Sequence, residues 1–294
     1  MIATFVWLGA LTLVVLSDTS SLLVSPAELA DMLNDPSVVV LHVADDTSAF
    51  EAGHIPGARV VRYRDFAVDG PDRLGSELPA LDELERVFEA VGVSDDARVV
   101  VYGNSSVAAA RAFFTLDVLG HPRVALLDGG LRAWRAENRP IETGPAQRPT
   151  PPGHFTPRLD RRRLADAAFI QQRLSPRQPS AMALVDVRPD PEFLGTDGGH
   201  GGAHAAGHIP GARQLPWDAL VGRDGRFLPR DRLESKLREA GAAPGRPLVS
   251  YCMVGMRASV VYFVARHLGY DARLYDGSIV DWSRRQLPVT SGRQ

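Results

Sequence analysis

The sequence predicts an α/β protein made of two tandem copies of one domain, each a mostly parallel sheet with helices on both faces. Three observations carry this reading. The heptapeptide GHIPGAR occurs twice, at Gly53–Arg59 and Gly207–Arg213, 154 residues apart. An Asp-Gly pair precedes a tryptophan in each half (Asp128-Gly129 before Trp134, Asp276-Gly277 before Trp282), and the tryptophans lie 148 residues apart. Around these markers, short β-branched apolar runs alternate with segments of helical spacing in the same order, the pattern of parallel strands joined by helices. A length of 294 residues suits about two domains.

In order along the chain, Ile2–Leu16 is fifteen residues without a charge. That is short for a transmembrane helix and matches the apolar centre of a signal peptide, with Val15-Leu16-Ser17 as its cleavage site. The basic leader of such a peptide is missing, because no Lys or Arg precedes Arg59. An extension or an upstream start codon explains the segment equally. The expectation is an apolar extension over residues 1–20 of a cytoplasmic protein, with export as the alternative.

Ser25-Pro26-Ala27-Glu28 reads as a helix start: the Ser caps, Pro sits at the first helical position and Glu completes a capping box. Val38–Val43 (VVVLHV) and Arg98–Tyr102 (RVVVY) are continuous apolar runs, as in strands buried on both faces. Leu81–Val91 and Val107–Leu119 have helical spacing, Val124–Leu127 is a third strand, and a short helix surrounds Trp134. Pro140–Pro157 holds six prolines in eighteen residues without a hydrophobic period and reads as an extended linker. The pattern then restarts with strand Leu184–Val187, helix Leu233–Ala240, strand Pro247–Tyr251 and helix Val260–Leu268. The expected domains are 21–142 and 159–292, joined by a Pro-rich linker over 143–158.

Composition narrows the class. Hydrophobic residues are 45% and charged ones 23%, with a net charge of −2, so nothing suggests a nucleic-acid surface or a disordered tail. One cysteine excludes an internal disulfide framework and any Cys-rich zinc site, and a thiol used for chemistry suits a reducing compartment.

That cysteine, Cys252, sits in PLVSYCMVGMRASVV, where a strand runs through a tight loop into a helix. Loop amides, the helix N-terminus and Arg257 all place positive charge near the sulfur and favour a nucleophilic thiolate. The plain alternative is a small buried hydrophobe. Comparison of the copies favours chemistry in the second. Opposite Cys252 and Arg257 the first copy has Gly103 and Ala108, and opposite Asp186-Val187-Arg188 it has His42-Val43-Ala44. The first domain keeps the pattern and loses the reactive groups.

From about Leu22 to Thr290 the chain resembles the rhodanese-type sulfurtransferases, in particular the two-domain thiosulfate and 3-mercaptopyruvate enzymes. The resemblance rests on LVDVR (Leu184–Arg188), GHIPGA in both halves, YCMVGMRAS (Tyr251–Ser259) and YDGS (Tyr275–Ser278) followed by Trp282. It implies an inactive N-terminal and a catalytic C-terminal rhodanese domain, with the site near their interface. It implies that Cys252 carries a sulfane sulfur as a persulfide, cradled by Met253, Val254, Gly255 and Met256. A small anionic donor supplies this sulfur, and cyanide, a thiol or a thiol protein takes it up, without a metal or organic cofactor. Arg188 matches the family's substrate-binding arginine, and Arg257 can serve the same anion. The structural alternatives are a salt bridge of Arg188 with Asp186 or Asp190, and a loop contact for Arg257. The residue chemistry agrees: a thiolate attacks sulfur readily, no His adjoins Cys252 in sequence, and a persulfide anion suits a nest of amides. The loop CMVGMR is similar to the C-x-x-G-x-R loops of bacterial rhodaneses, unlike the CG[SA]GVT of mercaptopyruvate enzymes, which makes thiosulfate the expected donor. Ile279 departs from the aromatic residue often found after YDGS.

Two rivals remain. A phosphatase of related fold places five residues between Cys and Arg, whereas four stand here, too tight a ring for phosphate. A persulfide relay or regulatory module would use the same loop on a partner protein. His200, His204 and His208 have a metal-like spacing of four, but five glycines between Gly195 and Gly202 argue for a loop. His54 and His208 occur in both copies of the repeat, which points to a shared structural role. The tryptophans are expected in cores or interfaces.

Overall fold

The computed structural model describes residues 21–68, 75, 77–146, 151–174, 182–198 and 206–293. The apolar N-terminal stretch, His200 and His204 lie outside these residues. No helix among the described residues is long and apolar enough to cross a membrane.

The first half runs β1 (Leu23–Val24), α1 (Pro26–Met32), β2 (Val38–Ala44), α2 (Thr47–Glu51), β3 (Arg59–Arg62), α3 (Tyr63–Phe66), α4 (Leu81–Ala90), β4 (Arg98–Gly103), α5 (Ser106–Val118), β5 (Val124–Leu127) and α6 (Gly130–Ala136). The second half runs β6 (Leu164–Ala165), α7 (Ala167–Arg173), β7 (Ala183–Asp186), α8 (Asp190–Leu194), β8 (Arg213–Gln214), α9 (Arg230–Glu239), β9 (Pro247–Tyr251), α10 (Ala258–His267), β10 (Asp271–Tyr275) and α11 (Ser278–Arg284). The strands form two five-stranded sheets, ordered β1-β5-β4-β2-β3 and β6-β10-β9-β7-β8, with every pairing between named strands parallel. The expected α/β class and the duplication are both present.

Local chemistry explains the elements. Ser25 and Glu28 form the capping box, with the Glu28 N–H donating to Ser25 Oγ at 3.2 Å and the Ser25 N–H to Glu28 at 2.7 Å. Strands β2 and β4 lie inside the first sheet, so side chains on both faces are covered and an unbroken apolar run is the stable choice. The copies repeat single hydrogen bonds. The Ile55 N–H donates to Tyr102 Oη and the Ile209 N–H to Tyr251 Oη, each at 3.0 Å. Trp134 Nε1 donates to the Pro140 carbonyl at 2.7 Å and Trp282 Nε1 to the Pro288 carbonyl at 2.8 Å. The histidines of the two GHIPGAR motifs stack on Phe50 and Phe193, with Nδ1 2.9 Å from the same phenylalanine's carbonyl oxygen. His54 and His208 are thus both fixed in the fold, and His208 is committed to this contact.

The proline-rich stretch is pinned where it is described. Gly153 and Arg158 donate backbone hydrogen bonds to Glu89 and Leu119, and Phe155 is buried edge-on to Phe88. The halves meet through equivalent helices. Phe113 and Phe114 of α5 stack edge-on against Phe263 and Tyr262 of α10 at 4.9 and 5.0 Å. Asp117 accepts two hydrogen bonds from Arg266 at 2.9 Å and one from the Tyr262 hydroxyl. All four aromatic rings are fully buried, and at roughly 2–3 kcal/mol for each buried large side chain the contact joins the two domain cores into one.

Candidate active site

Strand β9 is the middle strand of the second sheet, flanked by β10 and β7, and it delivers Cys252 to the C-terminal edge of that sheet. Ligand chemistry in parallel sheets gathers at this edge. Leu248 and Val249 are covered on both faces, so the residue after Tyr251 is the first that can leave the sheet. Gly255, at φ +83°, turns the chain in the left-handed region and lets α10 begin at Ala258. Cys252 is a free thiol with 1% of its surface exposed. Among the described residues, the N–H groups of Met253 to Arg257 find no hydrogen-bond partner. A run of free donors ahead of a helix N-terminus suits an anion at this point.

The opposite wall of the loop is the turn after β10. The Cys252 N–H donates to Ser278 Oγ at 3.1 Å, and that hydroxyl donates to the Tyr275 carbonyl at 2.8 Å. Ser278 adopts φ +53°, a strained position for a residue with a side chain. The Ile279 and Val280 N–H groups donate to the Cys252 and Met253 carbonyls. Both of these carbonyls are therefore tied back, while the amides from Met253 to Arg257 have no partner among the described residues.

Charge is arranged behind this loop. Arg257 donates two hydrogen bonds of 2.8 Å to the two carboxylate oxygens of Glu192. Burial works against the Arg257 charge, but Glu192 and the nearby Cys252 outweigh it and hold its pKa above the ordinary guanidinium value. Arg188 and Asp186 are both completely buried, and Arg188 donates to Asp186 at 2.9 and 2.6 Å and to the Gly207 carbonyl at 2.5 Å. Glu192 also faces Arg188, and Arg188 faces Arg257, so four charges of alternating sign underlie the loop.

Cys252, its loop and Arg257 are therefore brought together as the sequence suggests. Arg188 lies beneath them in the ion pair with Asp186. Sequence reading missed Glu192, which lies 65 residues from its partner, and Ser278. The signal for Glu192 was an acidic residue four positions after Arg188, which the structure buries facing that arginine. In the first domain the equivalent loop has no thiol, Ser105 Oγ takes the Val107 N–H at 3.1 Å, and Gly103 to Ser106 line a cavity of about 340 Å³. A cavity of about 710 Å³ opens between the domains, between Leu81 and Leu84 on one side and Phe169, Arg273, Asp276 and Gly277 on the other. Cys252 does not line it.

The model of the Rhodanese-like domain matches this chain twice, over residues 25–137 and 169–285. The chain belongs to the rhodanese family. Among relatives, the sulfur carrier protein TtuD of Thermus thermophilus is 34% identical over 92% of this chain and 97% of its own length. The thiosulfate sulfurtransferase of Corynebacterium glutamicum is 34% identical over 92% and 90%. A probable 3-mercaptopyruvate sulfurtransferase of Pseudomonas aeruginosa is 35% identical over 93% and 99%. The two rhodanese domains coincide with the two sheets, and the cysteine loop belongs to the second.

Proposed function

We propose that the protein is a thiosulfate sulfurtransferase that works through a persulfide on Cys252. The Cys252 thiolate attacks the outer sulfur of thiosulfate, a sulfur–sulfur bond forms, and sulfite leaves with the electron pair of the bond that breaks. The product is a Cys252 persulfide whose terminal sulfur is anionic. Cyanide or a thiolate then attacks that sulfur, and thiocyanate or a new persulfide departs as the Cys252 thiolate returns. No net oxidant or reductant is consumed.

One observation carries the reading most: a lone buried thiol whose following five amides have no partner among the described residues. Those donors are placed to hold the negative charge of the persulfide that forms there. Arg257, still 26% exposed, meets the anionic donor. Arg188, buried in its ion pair with Asp186, supports the loop through Glu192 and Arg257. Small donors and acceptors suffice, and a thiol protein is a further acceptor of the same chemistry. A lone working thiol suits the cytoplasm.

The Pseudomonas relative favours 3-mercaptopyruvate as a second donor, and the Thermus relative, a sulfur carrier protein, favours a carrier role. Steady-state turnover with each donor, cyanide as acceptor and Cys252→Ser as control tests all three. Preference for thiosulfate, lost in Cys252→Ser, is expected. Preference for 3-mercaptopyruvate would overturn the donor. A stable persulfide without turnover would replace the enzyme with a relay.

A further inference from the structure

The domain without a cysteine loop nevertheless reaches the cysteine. Arg111 stands in the middle of α5, in an otherwise apolar run, and is completely buried. A buried guanidinium costs several kcal/mol unless it is paired. Its partner lies across the domain boundary, since Nη1 and Nη2 donate to the two carboxylate oxygens of Asp276 at 2.5 and 3.2 Å. Asp276 begins the turn whose Ser278 takes the Cys252 N–H. It also fills the space beside Gly255, where an added Cβ would lie 2.4 Å from its Oδ1 and 2.8 Å from its carbonyl oxygen.

We propose that Arg111 is a positioning residue for Cys252: it clamps Asp276 against the cysteine loop and cancels a carboxylate charge that would otherwise repel the sulfur anion. The groups facing this point come from four elements. They are Arg111 on α5, Tyr63 on α3, Asp276 after β10, and Arg257 at the start of α10, itself backed by Glu192 of α8. Burial opposes the Arg111 charge, but Asp276, then Tyr63 and Cys252, outweigh it and hold its pKa above the ordinary value. The inactive domain therefore contributes a charge to the chemistry of the other. This inference rests on the reading of Cys252 as the reactive thiolate.

The test is the rate of Cys252 alkylation by iodoacetamide between pH 5 and 9, on full-length protein, with thermal midpoints recorded alongside. In Arg111→Met, alkylation at pH 7 falls about tenfold and the profile moves to higher pH, as expected for an uncompensated carboxylate near a thiolate. Arg111→Lys recovers most of the rate. Arg111→Met with Asp276→Asn removes both charges and returns the profile toward that of the parent, which repair of packing alone would not do. Should Arg111→Met fail to fold, Asp276→Asn alone decides: alkylation below pH 7 speeds up and the profile moves down. An unchanged profile in folded Arg111→Met or in Asp276→Asn overturns the proposal, as does a double variant as slow as the single one. Alkylation reads the thiol itself, so a parent protein that transfers no sulfur while its variants still show these alkylation shifts counts against the sulfurtransferase and leaves Arg111 standing.

Discussion

Gly255 separates backbone strain from site geometry when paired with a second glycine as control. At Gly255, φ is +83°, and an added Cβ would stand 2.4 Å from Asp276 Oδ1, about 1 Å inside ordinary contact, and 2.8 Å from the Asp276 carbonyl oxygen. At Gly269, just past the C-terminal end of α10, φ is +86° and nothing lies within 4 Å of the added atom. Alanine in the left-handed region costs about 1 kcal/mol at either position. Gly269→Ala therefore lowers the thermal midpoint by about 2 °C and leaves turnover unaltered. Gly255→Ala carries the same strain and must also push Asp276 away. The carboxylate can rotate, but the carbonyl belongs to the turn that holds Ser278 against Cys252. A displacement of the order of 1 Å in a catalytic loop costs about 10²-fold in rate. The assay is kcat/KM for thiosulfate with cyanide, read beside thermal melts of both variants. Equal turnover in the two alanine variants would refute the idea that the packed turn sets the loop's geometry.

Three further outcomes follow from the same structure. Arg257→Lys keeps the charge but loses the fork to Glu192, and KM for thiosulfate rises several-fold with a smaller change in kcat, whereas an unchanged KM would remove Arg257 from the donor site. Asp117→Ala strips three hydrogen bonds from the domain interface and leaves Arg266 unpaired there, for a loss of about 2–3 kcal/mol in thermal or urea unfolding. His42 is buried beneath Tyr102, and burial, followed by the charges of His54 and Arg135, lowers its pKa to about 4. The unfolded chain then binds the extra proton first, so stability is full above about pH 6.5 and declines toward pH 4, by up to roughly 3 kcal/mol. His42→Leu flattens that decline between pH 6.5 and 4 in acid-dependent melts.

The duplication was legible because identical heptapeptides impose identical contacts, down to the tyrosine hydroxyls that receive Ile55 and Ile209. Long buried strands such as β2 were legible for the same physical reason, being apolar on both faces. The two-residue strands β1 and β6 were not, since a period cannot show in two residues. Strand β10, DARLY, was also missed, because its first residue is exposed and its charged positions break the apolar run. Cys252 and Arg257 stood out by asymmetry between the copies. Arg111 escaped because comparison looked for groups lost by the first copy. The reverse comparison finds it: with Tyr102 set against Tyr251, Arg111 lies opposite Val260, a charge inside an apolar helix where the active copy has none.

In the proposed reaction Cys252 itself carries the transferred sulfur. Intact mass measurement of the protein after incubation with thiosulfate and removal of excess donor tests it most directly. The expected species is one sulfur atom heavier, is restored to the original mass by cyanide with release of thiocyanate, and is absent in Cys252→Ser. An unmodified mass in folded protein that still turns over thiosulfate, or the same mass gain in Cys252→Ser, would contradict it.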